Sequence, residues 1–166
     1  MKNIVLIGMP GCGKTTLGKM LAARLGMDFY DADDVLEERE PYTIKEFFAQ
    51  GEDKFRDAEQ RTAEYLAHKT GCVIAAGGGV VKRNASMQAY QKTACIIFIN
   101  RPPEAIAGDV EIKSRPLLAD GVQRIFELYN ERIDLYQKYA DYTVHNINGV
   151  EDALKQLLQI AGEMEK

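Results

Sequence analysis

The run Gly8-Met9-Pro10-Gly11-Cys12-Gly13-Lys14-Thr15 spells G-x-x-x-x-G-K-[ST]. Glycines at those spacings let the backbone curl until several N–H groups point into one concavity, and a helix that follows aims its positive end at the same spot. A polyphosphate suits such a cradle. Gly11, Cys12, Gly13, Lys14, Thr15 and Thr16 are the expected contacts, with Lys14 bridging the outer phosphates as a point charge. The Thr15 hydroxyl would complete the coordination of Mg2+, an ion that keeps several of its waters.

A second cluster, Asp31-Ala32-Asp33-Asp34, places two acids two residues apart. On an extended chain such residues project to one face, so Asp31 and Asp33 can look into a common cleft. One carboxylate can then hold magnesium through water while the other accepts a proton from an attacking hydroxyl. The same acids also suit the cap and first turn of a helix beginning near Val35, and Asp34 is expected to be purely structural. In Phe55-Arg56-Asp57-Ala58-Glu59 the i, i+3 spacing lets Glu59 orient Arg56. A guanidinium held that way binds a carboxylate bidentately, although an ordinary surface ion pair has the same spacing. Gly77-Gly78-Gly79 removes every β-carbon over three residues. Close backbone approach to a ligand explains that loss, and a tight turn is the alternative. Arg132 stands four residues before Tyr136, where a solvated arginine is also at home, and Arg115 precedes Pro116 as a cation able to swing onto a nucleotide.

Positioning those groups requires strands that end where the groups stand. Residues 3–7 form a short apolar run rich in branched side chains and ended by Gly8, followed over 14–25 by apolar residues at helical spacing. Further strands are predicted over 29–31, 72–75, 94–100 and 142–145. Helical patterns are predicted from Val35, over 44–50, from about 53 to 69, over 121–139 and over 150–161. Strands alternating with helices imply parallel pairing and right-handed crossovers. Residues 109–121 show no convincing period and contain Lys113, Arg115 and Pro116, so they read as a functional loop or a frayed linker.

With 166 residues the chain suits one domain with a sizeable core. Its net charge of −4, from 21 basic and 25 acidic residues, offers nothing to nucleic acid or an anionic membrane, so an anionic ligand needs a local cluster of cations. No apolar run approaches the ~20 residues that span a bilayer, no signal peptide is evident, and a cytoplasmic location is expected. Cys12, Cys72 and Cys95 cannot all pair internally and show no metal-binding spacing, so they read as reduced thiols.

Together these motifs resemble the shikimate kinase family, a group of small phosphate-loop kinases of the nucleoside-monophosphate-kinase-like kind. The resemblance runs over nearly the whole chain: the phosphate loop, the Asp31/Asp33 pair, the F-R-x-x-E run at 55–59, the glycine triplet, Arg115-Pro116-Leu117 and the Arg132 to Tyr136 motif occur in the family's order. It implies an α/β three-layer sandwich whose five-stranded parallel sheet, order 2-3-1-4-5, is flanked by helices. A substrate-binding insert about 33–61 and a mobile lid about 109–121 belong to the same single domain.

The implied reaction is transfer of the ATP γ-phosphoryl group to the 3-hydroxyl of shikimate, on the chorismate route to aromatic amino acids. Asp33 would bind ring hydroxyls and position or deprotonate the nucleophile, and Asp31 would support magnesium through water. Arg56, oriented by Glu59, and Arg132 would clamp the carboxylate of shikimate while Gly78 and Gly79 approach the ring. Lys14 and Arg115 would neutralise the moving phosphoryl group. A monomer is expected. The family's adenine-packing arginine, seven residues before the R-P-L arginine, is replaced here by Gly108, and the turn after the fifth strand reads Asn146-Ile147-Asn148-Gly149. That departure implies weak discrimination of the base. Competing readings are a kinase of the same architecture acting on gluconate or a nucleoside monophosphate, and a nucleotide-binding regulatory module without catalysis.

Overall fold

The computed structural model describes the backbone of residues 2–112 and 118–166, with side chains for all of these except 110–112 and 118–120. Five strands, β1 (Asn3–Ile7), β2 (Asp28–Asp31), β3 (Cys72–Ala75), β4 (Ala94–Asn100) and β5 (Tyr142–His145), make one sheet in the order β2-β3-β1-β4-β5. Every neighbouring pair is parallel, with Ile4 opposite both Val73 and Cys95. The central strand therefore has neighbours on both edges and helices flanking the sheet. That is why its residues need no polar alternation: Ile4 to Ile7 are all fully buried.

The helices are α1 (Lys14–Leu25), α2 (Ala32–Arg39), α3 (Ile44–Gln50), α4 (Glu52–Ala67), α5 (Asn84–Gln91), α6 (Pro103–Ile112), α7 (Leu118–Tyr139) and α8 (Val150–Met164), with a single 3-10 turn at Val80–Lys82. Local chemistry sets several boundaries. Gly26 stops α1 in the left-handed region (φ 67°), its N–H donating to the carbonyls of Ala22 and Ala23. The Asp31 carboxylate accepts from the N–H groups of Asp33 and Asp34 and so starts α2 at Ala32, ahead of the Val35 expected from periodicity. Thr43 and Glu46 form a reciprocal capping box on α3. Helices α2, α3 and α4 enclose a small separate core of Leu36, Phe47, Phe55 and Ala58. The insert region thus carries its own apolar support.

Two differences from the sequence expectations concern the segment after β4. Helix α6 lies where no helix is predicted; Pro103 occupies its first position, where the missing N–H costs nothing. The patternless stretch expected over 109–121 is shorter: its first four residues continue α6 and its last four open α7. The intervening residues 113–117, which include Arg115, lie outside the described residues.

Candidate active site

Parallel strands deliver their carboxyl ends to one edge of the sheet, and the crevice outside that edge is where open α/β sheets bind ligands. A cleft of about 780 Å³ opens there, lined by Pro10 and Gly11 from the loop after β1 and by Asp31, Ala76, Arg101 and Asn146, which end or follow the other four strands. Each strand therefore contributes to one site.

The phosphate loop occupies the centre. Gly8, Gly11 and Gly13 have φ of 150°, 83° and 104°, conformations that side-chain-bearing residues rarely adopt, and Gly13 leads directly into the open N-terminus of α1. Lys14 is buried and folded back along the loop, donating from Nζ to the carbonyls of Gly8 (2.6 Å) and Met9 (3.0 Å). Gly11, Gly13, Lys14, Thr15 and Thr16 all line the cleft. Cys12 does not: its thiol is buried 3.8 Å from Lys14 Nζ, and its N–H donates to Met9 O within the loop.

The cap reading of the acidic cluster holds for Asp31. Asp31 caps α2 through Oδ1, at 3.0 Å from Asp33 N and 3.2 Å from Asp34 N, while its Oδ2 accepts from the Thr15 hydroxyl at 3.0 Å. The Thr15 and Asp31 oxygens are adjacent hard donors in the cleft lining, suited to an ion that takes one or two protein oxygens and otherwise phosphate and water. Among the described residues no three His, Cys, Asp or Glu side chains converge to make a protein-only metal cage. Asp33 lines the cleft beyond Asp31. Burial, reinforced by the charge of Asp31 and opposed by Lys14, holds its carboxyl above the ordinary aspartate range.

Arg56 and Glu59 turn out to be no surface pair. They are 8% and 5% exposed, and Arg56 Nη1 donates to Glu59 Oε1 at 2.7 Å. Glu52 holds the other side of the guanidinium, Oε2 accepting from Arg56 Nε at 3.1 Å and from Lys82 Nζ at 2.5 Å. The second oxygen of Glu59 is buried without a hydrogen-bond partner among the described residues, and burial pushes this carboxyl up while Arg56 pulls it down. The glycine triplet has a spatial reason rather than a conformational one, since none of its φ angles is left-handed. A Cβ at Gly77 would lie 2.8 Å from Glu59 Oε2 and 3.1 Å from Asp33 Oδ1, one at Gly78 would strike Pro10, and one at Gly79 would fall 2.5 Å from Arg56 Nη2. The groups crowding the triplet are the protein's own: its glycines leave room for Glu59, Asp33, Pro10 and Arg56.

Arg132 reaches the same corner from α7. It acts electrostatically on both Tyr136 and Glu59. Tyr136, fully buried, donates its hydroxyl to Gly78 O at 2.6 Å, and burial pushes that hydroxyl up to about 12. Gly108 sits in α6 with open space where a side chain would project. Arg101 and Asn146 were not foreseen as site residues, yet both line the cleft and hydrogen-bond the loop, Arg101 to Gly11 O (3.0 Å) and Asn146 to Cys12 O (2.9 Å). The signal available for both was their place as the first residues after strands.

What the strand ends assemble is a polyphosphate cradle with a raised-pKa carboxylate at its side and a buried guanidinium beyond, the division of labour of a phosphate-loop small-molecule kinase. Comparison with known proteins narrows that class. The family model "Shikimate kinase" matches residues 10–161. A shikimate kinase of Clostridium botulinum is 43% identical over 161 residues, covering 96% of this chain and 98% of that protein. The solved shikimate kinase of Acinetobacter baumannii in complex with shikimate is 30% identical, with a TM-score of 0.87 over 98% of this chain and 94% of that one. The chain belongs to the shikimate kinase family. A gluconokinase of Sinorhizobium meliloti, 16% identical with a TM-score of 0.64 over 99% of this chain and 95% of that one, shares the fold alone.

Proposed function

We propose that this cleft transfers the γ-phosphoryl group of ATP to the 3-hydroxyl of shikimate, giving shikimate 3-phosphate and ADP. The observation that carries the reading is the buried Arg56–Glu59 pair packed against Asp33 across the glycine triplet, beside the phosphate loop. A buried guanidinium next to a hydroxyl-seeking carboxylate matches an acceptor that bears both a carboxylate and ring hydroxyls. The family membership and the shikimate-bound relative support the same acceptor.

In this reading Arg56 and Arg132 bind the acceptor carboxylate, and Gly78 and Gly79 leave the ring free to approach the backbone. Asp33 binds the acceptor hydroxyls and takes the proton of the attacking one as its oxygen bonds to the γ-phosphorus. The bond from that phosphorus to the bridging oxygen of ADP breaks, and Lys14 with the loop N–H groups of Gly13 to Thr16 balances the charge on the phosphates. Thr15, and Asp31 through water, would hold Mg2+, which when bound supplies charge neutralisation on the phosphate oxygens. Arg115 and the lid about 109–121 are assigned by resemblance, as is the insert about 33–61. The chain is taken to work as a monomer in the cytoplasm; among the described residues no helix is long and apolar enough to cross a membrane.

Truncating the clamp tests the acceptor half. Losing a charged hydrogen-bonding partner of a carboxylate typically costs about 1.5–3 kcal/mol, or roughly tenfold to a hundredfold in affinity. Arg56→Ala and Arg132→Ala are expected to raise KM for shikimate by that factor with KM for ATP nearly unchanged, and an equal loss of ATP binding contradicts the assignment.

A further inference from the structure

The G-x-x-x-x-G-K-T motif does not hold its own shape alone. Within the loop, Lys14 fixes the carbonyls of Gly8 and Met9. The next two outward carbonyls are held by residues far along the chain. Asn146 donates from Nδ2 to Cys12 O at 2.9 Å, and Arg101 donates from Nη1 to Gly11 O at 3.0 Å while pairing with Asp109 Oδ2 at 2.5 Å. Asn146 is only 8% exposed, and its backbone N–H donates to Asn100 O at 2.9 Å, so the turn after β5 is tied to the end of β4 before it reaches the loop. Gly13 fits that arrangement closely, for a Cβ there would lie 3.0 Å from Asn146 Nδ2.

In a trans peptide the C=O and N–H point to opposite sides, and no peptide described here is cis. Holding Cys12 C=O against Asn146 therefore turns the Gly13 N–H the other way, whereas holding Gly11 C=O against Arg101 commits the Cys12 N–H to Met9 O at 3.1 Å, which braces the turn that carries the Gly13 donor. Donors aimed before the ligand arrives need no rearrangement when it binds, and that saving appears as affinity. We propose that Asn146 and Arg101 are positioning residues for the nucleotide: from the ends of β5 and β4 they preset the peptides of the phosphate loop to receive the phosphates of a nucleoside diphosphate or triphosphate. The inference rests on the nucleotide half of the proposed function and is independent of which acceptor is used.

The experiment is calorimetric titration of the whole chain with ADP, paired with KM for ATP and for shikimate. Asn146→Leu keeps size and neutrality but removes the donor and leaves a buried carbonyl unpaired, so ADP should bind about tenfold or more weakly, with KM for shikimate within twofold of the unmodified chain. Arg101→Lys keeps the charge at a half-buried position but shortens the side chain and removes the Nη1 donor that serves both Gly11 O and Asp109. It should weaken ADP several-fold, and it keeps the proposal testable if Asn146→Leu does not fold. Unchanged ADP affinity in either variant overturns the assignment of that residue. A parallel fall in ADP affinity, shikimate affinity and melting temperature overturns the positioning role in favour of a general one in the fold. Failure of the unmodified chain to bind ADP would instead overturn the nucleotide reading itself.

Discussion

Asp33, proposed above as the proton acceptor, carries a cost in the fold. A carboxyl whose pKa is raised in the fold binds more protons there than in the unfolded chain, so its contribution to stability is fully present below the unfolded value near 3.8 and is lost as pH rises through the raised folded value. Near neutrality the ionised group destabilises the fold. Asp33→Asn is accordingly expected to melt at a higher temperature than the unmodified chain near neutral pH, with the difference vanishing in acid, while kcat falls steeply because the proton acceptor is gone. The acid limb of the pH–rate profile should lie above 3.8. Melting curves across pH, set beside steady-state rates, check both statements, and an unchanged kcat reassigns Asp33 to the first turn of α2. Gly79→Ala acts on the neighbouring cation. The backbone there accepts any residue, but the new Cβ must displace a guanidinium nitrogen 2.5 Å away, so KM for the acceptor should rise at least tenfold while KM for ATP stays put. Crystallography of the variant would show Arg56 moved; an undisturbed KM would mean that Arg56 does not hold the acceptor.

Among the elements, the strands were legible because parallel, doubly covered strands must be continuous apolar runs, and β1, β3 and β4 are. The Arg56–Glu59 pair was legible through its i, i+3 spacing on α4, which survives into a buried pair. Helix α6 was hidden behind Pro103 and Gly108, since a breaker residue in a sequence does not say whether it starts a helix, interrupts one or merely costs it stability. Arg101 and Asn146 were illegible as site residues for another reason: their partners Gly11 and Cys12 lie 90 and 134 residues away, and no local spacing encodes such a contact. At this scale the tie between α7 and the glycine triplet is the testable joint. Tyr136→Phe deletes the hydroxyl bonded to Gly78 O at 2.6 Å without changing the ring's packing on Phe98. A loss of about 0.5–1.5 kcal/mol of stability is expected from chemical denaturation, with a several-fold higher acceptor KM as Gly78 loses its anchor. A stability loss with no kinetic change would confine Tyr136 to the core.

Taken whole, the molecule reconciles a net charge of −4 with anionic substrates by concentrating cations where the strands end: Lys14, Arg56 and Arg101 are all half-buried or buried near one cleft, and Arg132 acts on the same corner. Parallel strands open that edge, where Arg101 follows β4 directly and α1, α4 and α7 bring up Lys14, Arg56 and Arg132. The fold alone does not choose the acceptor, as the structural likeness to a gluconokinase shows. The choice is placed in the buried guanidinium, the carboxylate beside it and the glycines that make room for both. The most direct measurement is therefore acceptor-dependent ADP formation from ATP with shikimate, gluconate and nucleoside monophosphates offered in parallel, the product's phosphate located by phosphorus NMR. Rapid turnover with shikimate alone, phosphorylated on the 3-hydroxyl, is the predicted result; an inert shikimate beside another acceptor that reacts fast would contradict it.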